Sequence, residues 1–178
     1  MATKYLSRRM DVNGDGTGNA DGNGDYSATA RVLRLTAQAG EHLLITHMHV
    51  AVVDSTFNSL DSYMGAGTLA NGISVYVTDS DGEVLYDLTD PNHPITTLGE
   101  WAHYADQVDT FTGFSVGDKH FVAKWRGGEG GEGIELLPGW SLCALLQDDF
   151  TALSEHEYYA QGKYLQPRLR DASTEGHL

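Results

Sequence analysis

Three groups of residues have types and spacings that could do chemistry. The first is the run Asp11-Val-Asn-Gly-Asp-Gly-Thr-Gly-Asn-Ala-Asp21. Asp11, Asn13 and Asp15 fall at the first, third and fifth positions of a calcium-loop pattern. Gly16, Thr17 and Asn19 fill the sixth, seventh and ninth. Hard oxygen donors at alternate positions suit calcium. The twelfth position is Gly22 where a chelating carboxylate belongs, and the eighth is Gly18 where an apolar residue is usual. An EF-hand is therefore not expected, although Asp21 or Asp25 could complete an irregular calcium site. A solvated loop of Asx turns accounts for the same composition.

The second group is His47-Met48-His49. In a strand, residues two apart share a face, so both imidazoles could reach one transition metal. The surroundings resemble the first cupin motif, with Gly40 ahead of His47 and Asp54 where a Glu is expected. The segment Gly133-Ile-Glu-Leu-Leu-Pro138-Gly139 resembles the start of the second, but the histidine that should follow is replaced by Trp140-Ser-Leu-Cys-Ala. That leaves His120 and His156 as the strand-borne candidates for a third ligand. Two histidines on the solvent face of an antiparallel strand, opposite an apolar Thr46/Met48/Val50 face, is the simpler expectation.

The third group is the pair Asp148-Asp149. Neighbours on a strand point to opposite faces, which makes them poor partners for acid–base work. Nucleophile-elbow, phosphate-loop and dinucleotide motifs are absent from the sequence. Gly127-Gly-Glu-Gly-Gly-Glu-Gly133 is rich in glycine but carries two Glu and no Lys, so it would repel phosphate. Trp101, Trp125 and Trp140, with nine Tyr, could form a sugar-binding platform, but core and interface packing explain such aromatics equally well.

The elements that would position these residues read as strands. Period-two alternation runs through Tyr26–Val32, Leu44–Val52, Ile73–Val77, Val84–Leu88, Phe121–Trp125, Ile134–Leu136, Trp140–Leu146 and His156–Ala160. Asp81-Gly82 reads as a hairpin turn, and helical signal is confined to one or two turns within Gly99–Gln107. About eight to ten short strands separated by turn residues predict an all-β fold, an antiparallel β-sandwich or jelly roll. Residues 1–25 read as an N-terminal arm with an acidic Gly/Asn/Asp loop, 26–164 as the sandwich, and 165–178 as a polar tail. The arm holds few large apolar groups. It is therefore expected to lie on another subunit, leaving the chain's own core complete without it.

Composition narrows the partners. The 178 residues carry a net charge of −14, which disfavours direct contact with nucleic acid or an anionic membrane surface. With 16 Asp against 9 Glu and 4 Lys against 7 Arg, the chain would suit high salt, a halophilic source included. Ordinary acidic solubility accounts for the same figures. Cys143 is the single cysteine and sits in an apolar run, so a buried inert thiol is expected. No apolar stretch is long enough to span a membrane as a helix, and the start lacks the apolar core of a signal peptide.

Several short segments, in order over residues 11–162, together resemble a family of small virion proteins of tailed phages. They are Asp11–Thr17, Gly24-Asp-Tyr-Ser27, Leu69-Ala-Asn-Gly-Ile-Ser-Val75, Asp87-Leu-Thr-Asp90, Pro94-Ile-Thr-Thr97, Trp101-Ala102 and Leu146-Gln-Asp-Asp-Phe-Thr-Ala-Leu153, followed by His156 and Gln161-Gly162. The resemblance implies a β-sandwich without catalytic residues. Such a protein would be made in the host cytoplasm and carried on the particle as a capsid decoration or cement protein, with a tail or neck position as an open alternative. It further implies a homo-oligomer, with a trimer favoured, and the major capsid protein or other virion proteins as partners. On that reading Lys4, Arg8 and Arg9 are the expected capsid contacts. The alternatives are a cupin-like metal enzyme on His47 and His49, and a carbohydrate- or receptor-binding module of the virion.

Overall fold

A computed structural model describes residues 4–12, 22–56, 59–90, 92–105, 107–112, 119–126 and 133–165. Two antiparallel sheets pack face to face, as the alternation predicts for a β-sandwich. The first has the order β1-β10-β3-β7-β6, and β8 also pairs with β3. Its strands are β1 (Tyr5–Arg9), β3 (Leu43–Asp54), β6 (Gln107–Thr112), β7 (Lys119–Arg126), β8 (Ile134–Leu136) and β10 (Glu155–Tyr164). The second sheet, of order β2-β9-β4-β5, is built from β2 (Arg31–Thr36), β4 (Ser74–Thr78), β5 (Val84–Asp87) and β9 (Ser141–Leu146). One turn of α-helix, α1 (Trp101–Tyr104), packs beside β6 and β7, and Met64–Ala66 form a 3-10 turn.

The core is what period-two burial dictates. Met48, Val50 and Val52 of β3, Phe121 and Ala123 of β7, and Tyr158 and Ala160 of β10 are all buried. Leu33 and Leu35 of β2, Val75 and Val77 of β4, and Leu142, Ala144 and Leu146 of β9 join them in one cluster. On the other face of β9, Ser141 and Cys143 are buried too. Thr36 and Ser141 share a hydroxyl hydrogen bond of 2.8 Å there. Burial pushes the Cys143 thiol pKa up, which makes it a poor nucleophile.

Two expectations about strand phase are corrected. Leu44 and Thr46 were expected on the face of Met48, but Leu43 and Ile45 are the buried residues. The reason is a bulge. Ile45 pairs with Gly162 and His47 with Gln161, which leaves Thr46 as the extra residue. One added residue reverses every face before it. Glycine occupies both neighbouring strands at this point. A Cβ on Gly162 would collide with the Leu44 carbonyl and sit 2.9 Å from Ile45 Cα, and one on Gly133 would meet the Ile45 carbonyl. The alternating run Tyr26–Val32 is also not a strand at its start: Ala28, Thr29 and Ala30 are exposed, and β2 begins at Arg31.

The larger correction concerns the arm. Residues 5–9 are an edge strand of the first sheet, paired from Tyr5↔Lys163 to Arg9↔Tyr159. Leu6 and Met10 are buried in the chain's own core. The Met10 amide donates to Tyr158 O at 2.9 Å, and Asp11 then bridges to Arg34 of the second sheet. The segment thus crosses from one sheet to the other and closes that side of the sandwich. Further along the chain, the Gly22 amide donates to His156 O at 2.8 Å and the Tyr26 amide to Asp148 O at 3.0 Å. Side-chain burial alone does not offset the ordering entropy of this segment, and the strand pairing it needs comes from the chain's own β10 instead of another subunit. A ladder of backbone hydrogen bonds to β10 adds what Leu6 and Met10 alone could not supply.

Candidate functional site

The acidic loop is only partly described. Asp11 is buried, and its backbone exchanges two hydrogen bonds with Arg34. Asn13, Asp15, Thr17, Asn19 and Asp21 lie outside the described residues.

His47 and His49 do share the outer face of β3, with ring centroids 6.5 Å apart and the rings edge to face. Thr46 Oγ1 lies 3.0 Å from His47 Nδ1. Partial burial, the neighbouring Lys124 ammonium and His47 all hold the His49 pKa below the ordinary imidazole value. Lys124 is in register with His49 on the next strand, and its charge opposes a bound cation. The two proposed third ligands are not at hand. His120 pairs with Val53, four residues along β3, about 13 Å away at the rise of a strand. His156 is buried on the opposite, inward face of the sheet. Asp54, at the cupin glutamate position, is buried and accepts the Gly65 amide at 2.7 Å. Among the described residues no three His, Cys, Asp or Glu side chains converge as metal ligands.

Asp148 and Asp149 do separate, but in the loop after β9 and not by the alternation of a strand. Asp148 is buried, and its carboxylate accepts the amides of Ala70 at 2.9 Å, Asn71 at 3.1 Å and Gly72 at 2.8 Å. Asp149 is exposed and accepts the Thr151 amide at 2.9 Å and its hydroxyl at 2.6 Å. Asp148 therefore fastens the loop before β4 to the loop after β9. Replacing it with alanine is expected to destabilise the protein by about 3 kcal/mol, because three amides lose a charged acceptor in a buried place. Urea denaturation of Asp148→Ala measures this, and an unchanged midpoint would contradict the assignment.

The same use of aspartate recurs. Asp25 accepts from Ser27, Asp79 from Asp81, Asp90 from Asn92 and Asp149 from Thr151, each two residues on. These are Asx turns, which favour Asp over Glu because the short side chain reaches back to its own loop. Part of the Asp excess read above as a possible adaptation to salt is turn chemistry.

Lys4, Arg8 and Arg9, expected as capsid contacts, are all engaged within the chain. Arg8 forks onto Glu41 at 2.7 and 3.2 Å and reaches Tyr164 Oη at 2.7 Å. Arg9 pairs with Glu157 and donates to Tyr159 Oη at 2.9 Å. The Lys4 ammonium lies 4.5 Å from the Tyr164 ring centre. The three tryptophans turn inward: Trp101 is buried, and Trp125 and Trp140 pack against the core.

Sequence reasoning missed a polar centre inside the sandwich. His156, Tyr63 and Tyr158 are fully buried with Trp101 beside them. The Tyr63 hydroxyl and His156 Nε2 are 2.8 Å apart, and Trp101 Nε1 donates to the same hydroxyl at 3.4 Å. Among the described residues, His156 Nδ1 and the Tyr158 hydroxyl meet no hydrogen-bond partner in good geometry. Burial and the nearby Tyr63 hydroxyl both oppose ionisation of Tyr158. Burial drives the His156 pKa down to about 3 and the Tyr63 hydroxyl above its usual value. These groups are held neutral. The signal for His156 was its place in the Tyr158/Ala160 alternation. Nothing local marks Tyr63, which arrives from a loop 93 residues earlier.

Beside this centre lies an apolar cavity of about 20 Å³, bordered by Met48, Val50, Trp101, Tyr104 and Trp125 among others. That is room for about one water and far below the roughly 300 Å³ of a small-molecule site. No family model, curated protein or solved structure matches the chain.

Proposed function

We propose that this chain is a non-catalytic structural protein of a tailed-virus particle, a decoration or cement-type β-sandwich that works by docking onto the major capsid protein or other virion proteins. The observation that carries the non-catalytic part is how its reactive side chains are spent. Six of the described carboxylates, Asp25, Asp54, Asp79, Asp90, Asp148 and Asp149, staple backbone, and His156 is sealed in the core. The particle itself rests on the ordered resemblance of residues 11–162. With residues 5–11 built into the fold, docking falls to the body of the sandwich and not to a free arm.

The test is direct. Purified protein should contain no stoichiometric transition metal by elemental analysis and bind no glycan on an array. Antibody against it should label intact particles in the electron microscope. A bound metal that disappears in His47→Ala would favour the cupin-like enzyme, and saturable glycan binding would favour the receptor module.

A further inference from the structure

The two sheets differ on their outer faces. The first presents His47, His49 and Lys124 there. On the second, the residues that alternate with the core positions of β2, β9 and β4 are uncharged except for Arg34. Three of them are nearly dry although they point outward: Cys143 at 1% exposure, Ser141 at 6% and Thr78 at 9%. Their polar groups already have partners. Thr36 and Ser141 share a hydrogen bond of 2.8 Å, and Thr78 Oγ1 lies 3.9 Å from Cys143 Sγ. Covering this part of the face would therefore leave few polar groups unpaired. Depletion of charge at the centre is also what separates a contact surface from an ordinary one.

One register row crosses all four strands of this sheet. Arg34 on β2 pairs with Cys143 on β9, Cys143 with Tyr76 on β4, and Tyr76 with Asp87 on β5. The four share the outer face. Partial burial and then Cys143 raise the Tyr76 hydroxyl pKa, and Arg34 and Asp87 both act on the same hydroxyl. Arg34 and Asp87 stand at opposite ends of the row, three strand spacings or roughly 14 Å apart. Neither forms an ion pair among the described residues. The row thus carries a cation and an anion at equal distances from its centre between β9 and β4.

We infer that the outer face of the second sheet is a contact between two copies of this chain, related by a two-fold axis that runs along the strands between β9 and β4. The charges choose both the occupant and the axis. A two-fold across the strands would set Arg34 on the Arg34 of the second copy and Asp87 on its Asp87. The two-fold along the strands sets each Arg34 over the second copy's Asp87, so the face is its own complement. It also lays β9 over the second copy's β4, which brings Leu145 over the small Ser74. Four strands cover about 20 Å in each direction, so two copies would bury on the order of 800 Å² in total, the scale of a weak and reversible association. The contact gives a dimer, whereas the resemblance above implies a trimer, and it does not depend on the virion reading.

Sedimentation equilibrium of the full chain up to millimolar concentration tests this, in moderate salt that screens the repulsion between two chains of net charge −14. The wild type should show a reversible monomer–dimer equilibrium. Arg34→Glu would turn two carboxylates towards each other at each end of the contact, and Asp87→Lys two cations. Each variant alone should therefore dimerise at least tenfold more weakly. An equimolar mixture of the two variants restores an opposite-charge pair at both ends of a mixed dimer and should recover the wild-type association. A wild type that stays monomeric or forms trimers would overturn the inference, and so would a mixture that associates no better than its components. Asp87 is exposed, so Asp87→Lys is expected to fold and decides the matter by itself if Arg34→Glu does not. Dimerisation of Asp87→Lys at the wild-type affinity would remove the contact. Metal content, glycan binding and particle labelling do not enter these outcomes, so this inference and the virion reading fail separately.

Discussion

Removing residues 2–12 is expected to unfold or severely destabilise the domain. Leu6 and Met10 would leave two holes in a core where they are 5% and 0% exposed. Their burial stabilises the fold by about 1.5–3 kcal/mol each. The outer backbone edge of β10, now paired from Tyr159 to Lys163, would lose its partner strand. Asp11 would no longer tie the first sheet to Arg34 of the second. Glu41 would lose the Arg8 guanidinium that holds its carboxyl below the usual pKa. Together these approach the roughly 5–15 kcal/mol by which a domain of this size is stable. A chain that still folds should melt roughly 10–20 °C lower, at about 2–4 °C per kcal/mol. Tyr5→Ser is the control, since Tyr5 is 81% exposed and should change little. An unaltered melting temperature in the deletion would show that the strand is an accessory. The free-arm account of docking would then return.

The second large effect is acid lability set by His156. Its pKa falls to about 3 in the folded chain because burial penalises the imidazolium, against an ordinary 6.5. The unfolded chain therefore binds the extra proton first, and stability falls as pH drops from about 6.5 towards 3. The slope reaches at most about 1.4 kcal/mol per pH unit within that window, roughly 5 kcal/mol over its whole width. His49 is shifted in the same direction and adds a smaller share. Carboxylates act elsewhere on the scale. Asp25, Glu41 and Asp90 have lowered pKa values, so what they contribute is present above about 4 and lost only below it. Urea midpoints at pH 7 and pH 5 should thus differ clearly in the wild type. In His156→Phe the difference should shrink to the His49 share, whatever the absolute stability of the variant. A wild-type midpoint that stays flat from pH 7 to 5 would mean that His156 finds a way to ionise inside the fold.

Both results bear on the docking proposed above. On the function proposed above, with residues 5–11 part of the fold, a particle contact would be made by the finished sandwich. The neutral, sealed Tyr63–His156–Tyr158 centre then belongs to the stability of that platform.

Much of this molecule was legible in the chain itself. Alternation located β3, β4, β7, β8, β9 and β10 and the inward residues of most of them, because one buried face forces a two-residue period. Asp81-Gly82 marked its hairpin because Gly82 adopts a φ of 89°, which glycine accepts without strain. Tertiary structure alone decided the rest. The Thr46 bulge is set by Gly162 and Gly133 on strands far away in sequence, so no window around Leu43–Val52 could reveal the change of face. The strand Tyr5–Arg9 has few apolar groups of its own, and only the open edge of β10, some 150 residues later, turns it from an arm into part of the sheet. Arg8 and Arg9 looked free because Glu41, Glu157, Tyr159 and Tyr164 come to them through that pairing. Local pattern records which residues want to be buried. Which distant backbone satisfies them is a property of the assembled fold.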